Sequence, residues 1–156
     1  MVKKYVFGTP IETDAVVKEI KETSWKDDIF QKEGNVFHYL LKTDEIVYGL
    51  GENVRGMNKR GWRYVSNCSD NPNHCEHTNS LYGAHNFIMM GDGVSDTYGL
   101  FVDTPGTVIF DVGYTDIDRL SIAMENENYK IYLIEGETYQ DVVREFREMI
   151  GRSYIA

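Results

Sequence analysis

The sequence predicts an all-β-dominated domain, a sandwich or barrel of short strands with a short N-terminal helix and a C-terminal helix. Three observations carry that prediction. From Asn35 onward, short alternating or apolar runs are split by Gly, Asp and Asn, which is the spacing of strands and turns rather than of strand–helix units. Aromatic residues make up 13% of the chain, with eleven Tyr and seven Phe, and such side chains favour pleated, half-buried surfaces. The apolar period lengthens to that of a helix only before Thr23 and after Thr138.

Thr13 to Thr23 places Val16, Val17 and Ile20 on one helical face behind Thr13 or Asp14 as cap, so it reads as a short surface helix. Eight strand candidates follow: Val36 to Leu41, Glu45 to Leu50, Arg63 to Ser66, Ala84 to Met90, Thr97 to Val102, Thr107 to Asp111, Arg119 to Met124 and Tyr129 to Ile134. Gly49-Leu50-Gly51-Glu52 lacks the third glycine and the following helix of a dinucleotide-binding turn, and reads as a strand end or bulge. In Tyr98-Gly99-Leu100-Phe101 the glycine marks a strand position where another backbone approaches. Beyond Thr138, the residues Tyr139, Val142, Val143, Phe146, Met149 and Ile150 recur at helical intervals. Thr138 caps that helix, Asp141 stands where a capping-box acid belongs, and Gly151 terminates it. The longest stretch without strand character is Asn67 to Ser80, and loops of that length in compact domains commonly carry function.

A length of 156 residues suits one domain, and neither a fixed-period repeat nor a Pro-, Gly- or Ser-rich linker divides it. Residues 1–156 are therefore read as a single domain. The net charge of −9 is uneven: from Tyr64 to Asp118 there are eight Asp or Glu and no Lys or Arg. That field repels phosphate backbones, which argues against nucleic acid and membrane partners and suits a neutral, polyhydroxylated ligand. No 18-residue apolar run occurs, and Met1 to Pro10 carries no apolar core of a secretion signal. The two cysteines, Cys68 and Cys75, are too few for a disulfide framework, and a cytoplasmic location is expected.

Chemistry-bearing side chains concentrate between Asn67 and His77. Cys68, His74, Cys75 and His77 are residue types that zinc prefers, but adjacent His74 and Cys75 do not reproduce the usual Cys-x2-Cys pairing, so no metal is expected. Cys75 beside His74 resembles a thiolate pair, yet sequence neighbours seldom face each other and no oxyanion motif accompanies them. Asn and Asp side chains bonding to their own backbone account for most of the loop's composition. Asp70 stands apart, because a carboxylate can accept two hydrogen bonds from vicinal sugar hydroxyls. His38, inside an apolar strand, is expected to be a satisfied core histidine, and His85 at a strand start is open to either reading.

Several short motifs occur in order: Gly49-Leu50-Gly51-Glu52, Asn58-Lys59-Arg60-Gly61, Ser69-Asp70-Asn71-Pro72, Leu81-Tyr82-Gly83, Gly99-Leu100-Phe101-Val102-Asp103 with Pro105-Gly106, Phe110-Asp111-Val112-Gly113, Tyr132-Leu133-Ile134-Glu135-Gly136 and Gly151-Arg152. Together they resemble the amino-terminal domain of glycoside hydrolase family 31, and most of all its bacterial α-glucosidases. The resemblance implies an antiparallel β-sandwich similar to the galactose mutarotase fold, preceding a (β/α)8 catalytic barrel. In the family, Gly-Arg followed by an aromatic or Pro and then Ile or Leu leads into that barrel. Gly151-Arg152-Ser153-Tyr154-Ile155 is the equivalent here, so the barrel is expected after residue 156.

Family members hydrolyse α-linked glucosides with retention, through two barrel aspartates whose carboxyl groups must lie about 5 to 5.5 Å apart. The resemblance therefore implies no catalytic residue, metal or cofactor within these residues, and partners that are the α-glucoside and the chain's own barrel. The sandwich contributes an Asp from a motif like Asn-Thr-Asp-x-Pro to the substrate pocket. Ser69-Asp70-Asn71-Pro72 matches it, with Cys68 where Asn is common, so Asp70 inherits the substrate-binding role. Two other classes stay open. A free-standing carbohydrate-binding module would display Trp or Tyr as a stacking platform, and Trp25 and Trp62 lie outside the long loop. A mutarotase-like epimerase would need paired histidines and a carboxylate in one cleft, a motif that His38, His74, His77 and His85 do not form.

Overall fold

A computed structural model describes residues 1–51, 56–66 and 84–151 of the protein. In them run β1 (Val2–Phe7), β2 (Gln31–Glu33), β3 (Val36–Leu40), β4 (Tyr48–Gly51), β5 (Trp62–Ser66), β6 (Ala84–Gly91), β7 (Thr97–Asp103), β8 (Val108–Val112), β9 (Arg119–Met124), β10 (Tyr129–Gly136) and α1 (Tyr139–Ile150). Two five-stranded sheets form, in the orders β1-β10-β7-β6-β4 and β2-β3-β9-β8-β5. The strand pairings are antiparallel throughout. The fold class read from the sequence is the one observed.

Period-two alternation sorts the side chains. Ile88, Met90, Leu100, Val102, Ile131 and Leu133 of the first sheet meet Phe37, Tyr39, Tyr64, Phe110, Leu120 and Ile122 of the second in one buried core. Phe110, Ile122 and Ile131 are wholly buried, and each such side chain contributes about 1.5 to 3 kcal/mol relative to exposure. The opposite face of the first sheet carries Phe87, Tyr132 and Ile134, covered by Val142, Phe146 and Met149 of α1 and by Val16 and Ile20.

The predicted C-terminal helix is present with its cap. The Thr138 side chain accepts from the Asp141 amide at 3.2 Å, and the Asp141 carboxylate accepts from the Thr138 amide at 3.2 Å. The N-terminal helix is absent, which corrects the reading of Thr13 to Thr23. The Val17 amide donates to the Met149 carbonyl at 2.8 Å, the Thr23 amide donates to the Lys4 carbonyl at 2.7 Å, and Lys4 and Glu22 form a parallel bridge. Backbone donors that a helix would have used internally are thus taken by α1 and β1, while the Thr13 hydroxyl is bonded to Asp103. Val16 and Ile20 still face the sheet, but Val17 is 66% exposed.

Strands β1 and β2 went unread. In β1 the two lysines mask an alternation in which Tyr5 and Phe7 join the core. Lys3 reaches the rim and pairs with Glu135 at 3.3 Å, and charged side chains on an edge strand discourage a further strand from adding. The predicted strand from Glu45 begins later, at Tyr48. Glu45 is a buried carboxylate that accepts from the Gly91 amide at 2.8 Å and the Lys42 amide at 3.1 Å.

The bulge at Gly49-Leu50-Gly51 is borne out. The β4–β6 register shifts there, and all three residues have positive φ, at 124°, 69° and 65°. A Cβ on Gly49 would sit 2.2 Å from the Phe87 carbonyl oxygen. At Gly99 the reason for glycine differs from the one expected. Side chains fill the space rather than another backbone: a Cβ would meet Val142 Cγ1 at 2.6 Å and the Phe87 ring at 2.9 Å.

Candidate functional site

Ser66 ends β5 in one sheet and Ala84 begins β6 in the other, so residues 67–83 connect the two sheets at one end of the sandwich. Asp70, Cys68, His74, Cys75 and His77 fall within that segment and lie outside the described residues. What the structure places is the ground from which the segment leaves.

The ground is polar. Ser66, 7% exposed, donates from Oγ to Asn86 Oδ1 at 2.5 Å, joining β5 to β6 across the mouth of the core. Beside this pair opens a cavity of about 380 Å³ lined by Thr13, His85, Asp103 and Thr104 among others. Asp103 closes β7 and is 8% exposed, and both its oxygens lie 2.8 Å from Thr13 Oγ1. Its register partner Lys130 is buried along its stem and reaches Glu12 at 3.1 Å. Burial, reinforced by the Asp103 and Glu12 charges, pushes the neighbouring Tyr132 phenol up to about 12. The turn after Asp103 is held by Thr104 Oγ1, which accepts from the Gly106 amide at 3.2 Å, and by Glu125 of the β9–β10 connection, which accepts from the Thr107 amide at 2.8 Å.

Hydroxyl, amide, imidazole and carboxylate groups thus surround a cleft whose described lining holds neither Lys nor Arg. Such a lining suits neutral, hydroxylated partners. Asp103 is the lining carboxylate, and a single carboxylate does not make the acid–base pair that glycoside hydrolysis needs. Among the described residues, no three His, Cys, Asp or Glu side chains gather as a metal site, and no helix is long and apolar enough to cross a membrane.

The two described histidines lie on different sheets. His38 is not a core residue: it faces outward on β3, 23% exposed, with Nδ1 2.8 Å from Ser121 Oγ and Nε2 3.7 Å from Glu33. His85 is exposed at the start of β6, on the cavity wall. They do not converge as an epimerase would require. Trp25 stands edge-on to Tyr5 and Phe37, at ring separations of 4.8 and 5.0 Å, and Trp62 packs on the core as well. Both are partly buried against the core, and neither is in the described lining of the cleft. A larger groove of about 580 Å³ runs along α1, with Tyr139, Val143, Arg144 and Arg147 in its wall. Its described lining comes from that one helix.

Four site residues escaped the sequence reading, among them Asp103, which was read only as part of a family motif. Thr13 passed for a helix cap, Ser66 for an ordinary strand end, and Asn86 for an unremarked strand residue. The available signal was periodicity, because Ser66 follows Tyr64 and Asn86 precedes Ile88 by two residues, on the side that faces the core.

Comparison with known proteins agrees with this geometry. Residues 8–111 match the model of the glycosyl hydrolase 31 N-terminal galactose mutarotase-like domain. The chain is 29% identical over 116 residues to an α-glucosidase of Saccharolobus solfataricus, covering 74% of this chain and 16% of that protein. It is 30% identical over 110 residues to the α-xylosidase XylQ of Lactiplantibacillus pentosus, covering 69% of this chain and 13% of that protein. The chain therefore spans about a sixth or less of the length of these curated relatives. Among solved structures, a cycloalternan-degrading enzyme from Trueperella pyogenes in complex with isomaltose shares the fold at a TM-score of 0.73 and 21% identity, over 85% of this chain and 21% of that one. A GH31 dextranase of Flavobacterium johnsoniae does so at a TM-score of 0.65 and 24% identity, over 81% of this chain and 15% of that one. With two thirds of its residues inside the matched region and two sheets in the matching fold, the chain belongs to the N-terminal galactose mutarotase-like domain family of glycosyl hydrolase family 31.

Proposed function

We propose that the chain is the N-terminal domain of a longer, cytoplasmic, retaining α-glucosidase, in which it supports a (β/α)8 catalytic barrel and shapes the substrate pocket. The observation that carries this reading is the family match in a chain that spans 16% of the α-glucosidase it resembles. Retaining hydrolysis needs two carboxyl groups about 5 to 5.5 Å apart, and the one carboxylate of the described lining, Asp103, is already engaged by Thr13. The nucleophile and the acid/base therefore belong to the barrel, and the sandwich acts on the substrate through Asp70.

Asp70 accepts a hydrogen bond from a glucose hydroxyl in the assembled pocket. A charged hydrogen bond held out of water contributes about 1.5 to 3 kcal/mol. Asp70→Ala in the full-length enzyme is then expected to lower kcat/KM on maltose about 10- to 150-fold. Wild-type kcat/KM in that variant would remove Asp70 from the site. Parallel assays on aryl α-glucoside and aryl α-xyloside test the substrate, since relatives bear both activities in their names. A preference for the xyloside would replace the glucosidase assignment and leave the family membership standing.

A further inference from the structure

We propose that the protein carries a sugar-binding cavity at the β1 edge of the sandwich, independent of the role given to Asp70 above. The cavity, of about 240 Å³, opens where β1 and β10 meet residues 23–30. Tyr5, Trp25, Lys3, Asp28 and Glu135 supply its chemistry. Its described lining shares no residue with that of the cleft beside Asp103.

Alternation puts Lys3 on the side of β1 that carries Tyr5, and Glu135 on the side of β10 that carries Ile131 and Leu133, so the apolar core gives way to a polar pocket at this edge. Lys3 and Glu135 pair there at 3.3 Å. Tyr5 is only 6% exposed, yet its hydroxyl makes no hydrogen bond among the described residues, whereas a buried phenol ordinarily has a partner. Burial pushes that phenol up, and the charges of Lys3, Glu135 and Asp28 act on it, which sets the hydroxyl among the polar groups of the cavity. Trp25 is fixed in advance. Its ring stands edge-on to Tyr5 at 4.8 Å and to Phe37 at 5.0 Å, and its N–H donates to Asp27 at 2.7 Å.

An aromatic ring suits the apolar C–H face of a pyranose, carboxylates accept from its adjacent hydroxyls, and a phenol and an ammonium donate to its oxygens. Lys3 and Lys26 balance Asp28 and Glu135 in the described lining, so a neutral ligand fits better than an ion. A neighbouring cavity of about 540 Å³ shares Asp28, Ile29 and Glu135 and adds Tyr98 beyond them, which leaves room for a second sugar unit.

The test titrates the 15N-labelled chain with glucose and with maltose and follows the backbone amide signals. Maltose should give saturable shifts centred on Tyr5, residues 23–28 and Glu135, with a Kd of about 1 to 10 mM, because a few hydrogen bonds must offset the entropy of association. Glucose, which occupies one cavity, should bind more weakly. Tyr5→Phe removes only the unpaired hydroxyl, so it should weaken maltose binding about 2- to 13-fold while the melting temperature stays put. Asp28→Asn, which exchanges a charged acceptor for a neutral one, should weaken it about 10-fold, and it carries the test if Tyr5→Phe does not fold. Shifts that never saturate, or that saturate only at residues 104–106 in the cleft, overturn the site. Unchanged affinity in both variants does the same, and inorganic phosphate moving these amides where neither sugar does overturns the sugar assignment.

Discussion

Gly99 is the position where the docking of α1 on the first sheet can be tested most sharply. An alanine there would place its Cβ 2.6 Å from Val142 Cγ1 and 2.9 Å from the Phe87 ring. Neither neighbour can easily yield. Val142 is β-branched in a helix, where one χ1 rotamer dominates, and the Phe87 ring is stacked on Phe146 at 3.9 Å and 3°. Overpacking of this kind costs about 1 to 3 kcal/mol, offset in part by the roughly 0.5 to 1 kcal/mol that alanine gains over glycine within a strand. Gly99→Ala should therefore destabilise the chain by about 1 to 2 kcal/mol. Val142→Ala removes two methyl groups from a wholly buried side chain and should cost about 1 to 3 kcal/mol. In the double variant the new methyl enters the space that Cγ1 vacates, so the two losses should fall short of their sum by at least about 1 kcal/mol. Urea melts of the four proteins measure this directly. Losses that add to within about 0.5 kcal/mol would show that Gly99 and Val142 do not touch, and would refute the docking of α1 described above.

Alkali should weaken the fold. Burial pushes the Tyr129 and Tyr132 phenols up to about 12 from the ordinary value near 10, so their stabilising contribution is complete below pH 10 and is lost as pH rises toward 12. At about 1.4 kcal/mol per unit for each group the loss approaches roughly 3 to 5 kcal/mol; equal urea midpoints at pH 9 and pH 11 would contradict the burial of both rings. The chain on its own should not hydrolyse maltose or an aryl α-glucoside, and turnover that co-purifies with it and persists in an independent preparation would contradict the assignment of both reacting carboxylates to the barrel.

Where local pattern and tertiary packing agree, the fold could be read from the residues. The run Thr97 to Val102 is largely apolar, as suits a strand covered on both faces, lies in the interior of the first sheet, and became β7. Thr138, Asp141 and Gly151 bound α1 as their side-chain chemistry dictates. Reading failed where a backbone donor found a partner far away in sequence. Val16, Val17 and Ile20 have helical spacing, but the Met149 carbonyl at the end of α1 takes the amides of Val17 and Lys18, and the Lys4 carbonyl on β1 takes that of Thr23. Strand β1 failed for the opposite reason: Lys3 and Lys4 suit an exposed edge, and edge strands dilute the apolar signal that defines inner strands.

The site was legible in part, and the limit has a physical cause. A resemblance points to Asp70, which lies outside the described residues, whereas the described cleft is assembled from Thr13, Ser66, Asn86 and Asp103, which no local string links. Ser66 and Asn86 carry their information in a mismatch between side chain and period, a polar residue on the apolar side of a strand. One such mismatch reads as a strand ending early. Two mismatches, on strands joined by a long segment, imply a partner for each, because an unpaired buried hydroxyl or amide costs about 1 to 3 kcal/mol. Hydrogen-bond satisfaction thus favours a meeting of β5 and β6 at those residues, across the two sheets. Inward-facing polar residues on both strands that bracket a long connection are therefore a sequence signal worth pairing before the fold is known.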